Sequence, residues 1–216
     1  MAESTRDTLL RRARELFNER GVEVVGPRDL ARDLGLSPGN VSYYFPRKQD
    51  LVLALMDDLS ARNEATVGDL ADAKDLADLL RRYRVTFETQ YEYRGITRAI
   101  VPLVESDPAV AERHRHSAAA RRAGLHRAFA AMVGRDLRPE TDRATLARLV
   151  ASCSLTARFW SGEALLSFPD VPVDRVIDHY IALMAHALWG PATDTGRAAV
   201  APFLAGVLEE ESLGEG

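Results

Sequence analysis

PRDLARDLGLSPGNVSYYF, residues 27–45, decides how this chain is read. Pro27 suits the first position of a helix, because its fixed φ is helical and the N–H it lacks would have had no acceptor there. Leu30, Ala31 and Leu34 follow at three- and four-residue spacing and make one inner face. Gly35 supplies the left-handed residue that stops the helix after two turns. Leu36 then tucks inward, Ser37 is a good N-cap, and Pro38 fits the first position of a second short helix that ends near Pro46. That helix turns Val41, with Tyr44 or Phe45, toward the first. Two short helices joined this tightly, with the small Ala31 at the crossing, have the spacing of a helix-turn-helix. An ordinary helical hairpin shares the apolar spacing, so the outward residues break the tie.

Those residues are Ser37, Pro38, Gly39, Asn40, Ser42 and Tyr43, with Tyr44 open to either side and Arg47 and Lys48 just behind. Asn and Ser bond base edges or phosphate oxygens, and Gly39 permits close backbone approach. Tyrosine hydroxyls and Lys48 suit phosphates, and a helix N-terminus favours an anion. This is the chemistry of a nucleic-acid surface.

Outward from the motif, the spacing stays helical. Ser4 or Thr5 caps a first helix with the stripe Leu9, Leu10, Ala13, Leu16 and Phe17, ended by Gly21. A fourth helix carries Leu51, Leu55, Met56 and Leu59 to about Ala65, and Gly68 in a polar stretch marks a boundary. Further helices are predicted over 75–93, 95–105, 108–134, 141–166 and 173–189, a shorter one over 196–210, and a frayed acidic tail from Glu209. No alternating run long enough to seed a sheet occurs. The expected fold class is all-α: a three-helix helix-turn-helix domain over 3–63 and a helical domain over 68–210.

With 216 residues, 46% apolar and 28% charged, the chain has the composition of an ordinary globular protein, which excludes disordered and collagen-like architectures. No run approaches 18 apolar residues, and MAESTRDTLL lacks a basic segment followed by an apolar one, so the expectation is a cytoplasmic protein with no membrane partner. The single cysteine, Cys153, forms neither an internal disulfide nor a four-thiolate zinc site. The net charge of −4 argues against binding DNA through bulk positive charge. Contact must be local, and between residues 26 and 48 Arg28, Arg32, Arg47 and Lys48 outnumber Asp29 and Asp33.

Taken with its flanks, GPRDLARDLGLSPGNVSYYFPRKQDLVLAL (26–55), preceded by LFNERG (16–21), closely resembles the DNA-binding domain of TetR-family repressors over roughly residues 5–60. The resemblance implies a third helix in the major groove, a fourth helix leading to a ligand-binding and dimerising helical body, and release of a double-stranded DNA operator by a small molecule. It places Ser37, Pro38, Gly39, Asn40 and Ser42 over base edges, Tyr43, Tyr44 and Lys48 at phosphates, and Arg28 on the backbone. Gly26 and Pro27 stand where the family often has Ser or Thr, so one phosphate-binding hydroxyl is absent. YEYRGITRAIVPLVESDPAVAERHR (91–115) is similar to one branch of the family's C-terminal domains.

In the C-terminal part, Leu76, Leu79, Leu80, Tyr83, Phe87 and Tyr91 form a core-like stripe. The segment 108–134 has a polar middle, where His114, Ser117 and Arg121 share the side of Val110, Leu125, Phe129 and Met132. Buried polar groups need partners, so the expectation is an effector cavity lined by these three with Tyr83, Phe87, Tyr91, Phe159 and Trp160. His114 and His116 are two apart and diverge on a helix, and His179 and His186 are two turns apart, so no metal is expected. Cys153 has no orienting partner and no glycine-rich phosphate loop occurs, so neither a cofactor nor an enzyme is expected. The alternative reading is a helical enzyme or interaction module that retains the motif.

The segment 173–189 carries Val173, Val176, Ile177, Tyr180, Ile181, Met184 and Leu188 at helical spacing, and 141–166 offers the small residues Ala151, Ser154, Ala157 and Ser161. Together they predict a homodimer through a four-helix bundle, broken by a charge at Ile181 or Met184.

Overall fold

The computed structural model describes residues 4–208. The helices are α1 (Thr5–Arg20), α2 (Pro27–Asp33), α3 (Pro38–Tyr44), α4 (Lys48–Val67), α5 (Leu76–Glu92), α6 (Arg94–Arg98), α7 (Ile100–Ser106), α8 (Pro108–Met132), α9 (Arg143–Ser167), α10 (Val173–Trp189) and α11 (Asp194–Val200), with 3-10 turns at Leu70–Asp72 and Ala201–Gly206. Among the described residues no strand forms beyond two isolated bridges, so the fold is all-α. No described helix is long and apolar enough to cross a membrane. The tail from Glu209, and the outermost residues of the expected domain ranges, lie outside the described residues.

Two segments differ from expectation, for one physical reason. The expected helix over 95–105 is split into α6 and α7 at Ala99, and the one over 196–210 is α11 followed by a 3-10 turn. Pro102 and Pro202 cause both breaks. Each ring would collide with the carbonyl four residues back, Arg98 or Ala198, and neither proline has an N–H to bond it.

The chain packs as two compact units, one formed by the chain up to Arg62 with Thr89–Ser117, the other by Asn63–Glu88 with the chain from Ala118 onward. The division passes through α4, α5 and α8, so the packing units differ from the linear division drawn near Gly68.

In the first unit α1 begins at Ser4, whose Oγ accepts from the Asp7 N–H at 3.2 Å. Leu9, Ala13, Leu16 and Phe17 of α1 bury against Leu30, Ala31, Val41 and Phe45 of the motif and Leu51 and Leu55 of α4. Tyr93, Ile96, Ile100 and Val110 join the same core. The start of α6 sits directly on the end of α1: a Cβ at Gly95 would come within 2.5 Å of the Phe17 carbonyl group, so only glycine allows the approach. Asn18 fastens the seat, accepting from the Gly95 N–H at 2.8 Å and donating to the Glu92 carbonyl at 2.7 Å. Beside it the guanidiniums of Arg14 and Arg62 lie over the Tyr93 ring, and its hydroxyl donates to Asp58.

The second unit has an aromatic core. Tyr83 and Phe87 of α5, Trp160 of α9 and Tyr180 of α10 are all buried, and the Phe87 and Trp160 rings stack at 5.0 Å with 18° between planes. Cys153 is buried, and burial pushes its thiol up to about 12. One expectation is corrected here. Val176, Ile177, Tyr180, Ile181, Met184 and Leu188 of α10 are buried within the unit itself, so that stripe forms the core and does not face a partner. Only Val173 of the set remains half-exposed.

Candidate nucleic-acid interface

The helix-turn-helix is built by local chemistry. At its start the Gly26 N–H donates to Asp29 Oδ2 at 3.0 Å and Pro27 occupies the first helical position. At the turn Gly35 has φ +65°, the left-handed region where other residues are strained. The Leu36 N–H closes the end of α2 by bonding the Ala31 carbonyl at 2.9 Å. Ser37 Oγ then accepts from the Asn40 N–H at 3.3 Å to start α3. Val41 and Phe45 are buried, which fixes the helix's rotation.

With inward positions taken, α3 presents Ser37, Pro38, Gly39, Asn40, Ser42 and Tyr43 to solvent. Tyr43 is 81% exposed and meets the 38% exposed Tyr44 edge to face at 5.0 Å. The structure thus brings all seven α3 candidates onto one exposed surface and resolves the inward residue as Phe45. Gly39 has no structural reason to be glycine: a Cβ there would lie 3.9 Å from its nearest neighbour, Ser37 Oγ. Glycine inside a helix destabilises it by roughly 0.5–1 kcal/mol relative to alanine.

The charges around this surface are sorted by their partners. Arg12 grips Asp33 with two N–H bonds of 2.6 and 3.1 Å, and with the more distant Arg20 holds that carboxyl below its usual range. Arg47 binds Asp50 at 2.9 Å, raising its own proton affinity and lowering that of Asp50. Asp29 is shared between the Gly26 N–H and Arg32, the latter at 3.4 Å. Arg28 is exposed and makes no ion pair among the described residues.

Lys48 is placed differently from the expectation of a simple phosphate contact. Its ammonium donates to the Val22 and Glu23 carbonyls at 2.9 and 2.6 Å, closing the loop after α1, where carbonyls without helical partners attract a cation. Two of its three hydrogens are therefore engaged internally.

The effector candidates do not form a single constellation. Tyr83, Phe87 and Trp160 are brought together in the core of the second unit. Phe159 and Arg121 belong to that unit but are exposed, Phe159 at 40% beside Arg158. Burial raises the proton affinity of the Tyr83 phenol and the Arg121 charge opposes it, so Arg121, although exposed, lies close enough to Tyr83 to act on it. Tyr91, His114 and Ser117 belong to the first unit. Tyr91 lies under Arg94, and Ser117 Oγ donates to the Arg113 carbonyl at 3.1 Å while accepting from its guanidinium, so helical back-bonding satisfies it without a ligand.

Sequence reasoning missed Tyr180 as a site residue, assigning it to the dimer stripe. It is 5% exposed and its hydroxyl is buried with no partner, close to the Trp160, Phe168 and His179 rings. Apolar spacing identifies a core position and carries no signal for an unmet hydroxyl. Burial holds His179 below its ordinary titration range, and its Nδ1 accepts from the Leu208 N–H at 3.0 Å. Arg6 was also missed. Its guanidinium lies over the Phe45 ring, 5.4 Å from the centroid, a pairing across distant parts of the chain that no local pattern announces.

Comparison with known proteins bears on both units. Residues 9–55 match the family described as bacterial regulatory proteins, tetR family, and residues 56–200 match the one described as bacterial transcriptional repressor. A crystal structure of a TetR-family transcriptional regulator from Marinobacter aquaeolei VT8 superposes with a TM-score of 0.82 at 19% identity, covering 95% of this chain and 100% of that one, a likeness of fold. Comparison by sequence with curated proteins gives no match.

Proposed function

Because the chain belongs to the TetR family of bacterial regulatory proteins, we propose that it is a homodimeric cytoplasmic repressor that a small molecule releases from a palindromic operator. Members of this family are DNA-binding transcription factors, so the chain is a transcriptional regulator and not an enzyme.

One observation carries the reading: the outer face of α3 is polar, exposed and not needed by the fold, down to a glycine that weakens its own helix. Residues 3–63 read DNA in this proposal, and 68–210 bind the effector and dimerise. Ser37, Pro38, Gly39, Asn40 and Ser42 meet base edges in the major groove. Tyr43, Tyr44 and Arg28 meet phosphates, joined by the remaining hydrogen of Lys48.

The dimer forms through α9 and α10, but by residues other than the core stripe. Leu155, Phe159 and Leu166 lie on one side of α9 and are exposed, Leu166 at 82%, as is Leu183 of α10. An exposed apolar stripe of this kind is the mark of an interface. Two-fold symmetry then sets the third helices about 34–36 Å apart, one turn of DNA.

The effector enters the aromatic core around Tyr83, Phe87 and Trp160, where the Tyr180 hydroxyl lacks a partner that a ligand would supply. Release requires it to favour the DNA-incompetent arrangement, typically by about 1–3 kcal/mol.

Selection from random duplexes tests the central part. It is expected to enrich an inverted repeat with half-sites one turn apart. Recovery of no common sequence would overturn the proposal.

A further inference from the structure

Cations near the third helix fall into two groups. Arg12 is committed to Asp33, Glu15 and Glu19, Arg47 to Asp50, and Lys48 to two carbonyls. Among the described residues, Arg28 and Arg6 make no ion pair, and both are exposed. Arg28 stands in the first turn of α2 and Arg6 in the first turn of α1.

What sets Arg6 apart is its support. Phe45 follows α3 directly and is 2% exposed, so its ring is fixed by the core. The Arg6 guanidinium covers that ring, with 5.4 Å from its central carbon to the centroid. A guanidinium held over a ring face is attracted by the ring without spending its N–H donors on a carboxylate, so they remain to form the fork that matches a phosphate. A cation held this way is ordered before its ligand arrives and loses less freedom on binding. Arg47, although nearer to α3 in sequence, already has its fork filled by Asp50.

We propose that Arg6 is a DNA-phosphate clamp at the C-terminal end of the third helix, a role that rests on the DNA-binding reading above. Phe45 serves as its platform, so one side chain both rotates α3 into register and aims the clamp. The contact reads no base. It adds affinity for any duplex and fixes the angle at which α3 enters the groove.

The test uses the full chain, its Arg6→Gln and Arg6→Lys variants, and fluorescence anisotropy on two duplexes: the selected operator and a random sequence. Both are titrated over a salt series. Arg6→Gln is expected to raise Kd for both duplexes by the same factor, about threefold to tenfold, and to flatten the salt slope by about 0.9 per protomer. Arg6→Lys should restore the slope and only part of the affinity, because an ammonium cannot form the fork. The melting temperature should stay within about 2 °C of the parent for both, as for an exposed substitution. Unchanged Kd and slope in Arg6→Gln, or a loss confined to the selected operator, would overturn the clamp. So would a fall in affinity matched by a fall in melting temperature, which would make Arg6 a packing residue. Failure of the parent chain to bind either duplex would overturn the DNA-binding reading as well, which separates the two failures.

Discussion

Helices α3 and α10 carry the same kind of pattern and opposite lessons. In α3 the apolar residues that matter are few: Val41 and, just past its end, Phe45 go inward, and everything else faces out. In α10 nearly every apolar residue is buried in its own unit, although the stripe is regular enough to suggest a partner helix. A short helix has little core work to do, so its unused residues point to function. A long amphipathic helix has a core to complete, so its stripe says nothing about a second molecule. The surface left for a partner is read from what remains exposed, here Leu155, Phe159, Leu166 and Leu183.

Charge substitutions break that comparison most strongly. Met184→Glu places a carboxylate at a 2% exposed site and is expected to destabilise the second unit by about 3–5 kcal/mol or unfold it. Leu166→Glu, at 82% exposure, should change the unfolding free energy by less than about 0.5 kcal/mol while shifting the sedimenting species from dimer to monomer. Urea unfolding with sedimentation distinguishes the two. A folded, monomeric Met184→Glu protein would restore the α10 interface.

Next in size is the seat of α6 on α1. Gly95→Ala drives a methyl group into the Phe17 backbone and should cost about 1–3 kcal/mol, whereas Gly39→Ala makes no contact closer than 3.9 Å and should stabilise the helix by about 0.5–1 kcal/mol. Gly39→Ala should also weaken operator binding, the reverse of its effect on stability. Loss of stability at Gly39 would mean that the fold, and not the groove, needs the glycine.

The smallest effect is on pH. Burial lowers the folded-state pKa of His179, so the unfolded chain takes up the proton more readily. Stability is therefore fully present above the ordinary value of about 6.5 and falls as pH drops below it toward the folded-state value. Melting temperature should decline over that window, and His179→Gln should flatten the decline. An equal slope in the variant would assign the effect to another group.

Much of the first unit was legible because its signals are local. Ser4, Gly21, Pro27, Gly35 and Ser37 each act within a few residues of themselves, and each appears where the sequence places it. The breaks at Ala99 and Val200 had a local cause too, in Pro102 and Pro202, but a proline in the first turn of the following helix looks harmless unless the preceding carbonyl is considered. Electrostatics was the least legible. Counting charges between residues 26 and 48 treats Arg47 and Lys48 as available, while the fold uses Asp50 and the Val22 and Glu23 carbonyls to hold them. The same long-range pairing brings Arg6 to Phe45 and leaves Tyr180 without a partner.

The claim that the outer face of α3 exists for DNA is tested most directly at Asn40, which is exposed and whose side chain holds nothing in the fold together. Affinities of the parent and of Asn40→Ala for the selected operator and for single-base variants of it decide the matter. Loss of about 1–3 kcal/mol of discrimination at one base pair in each half-site, with unfolding unchanged, is the predicted result. Equal discrimination by both proteins at every position would contradict it.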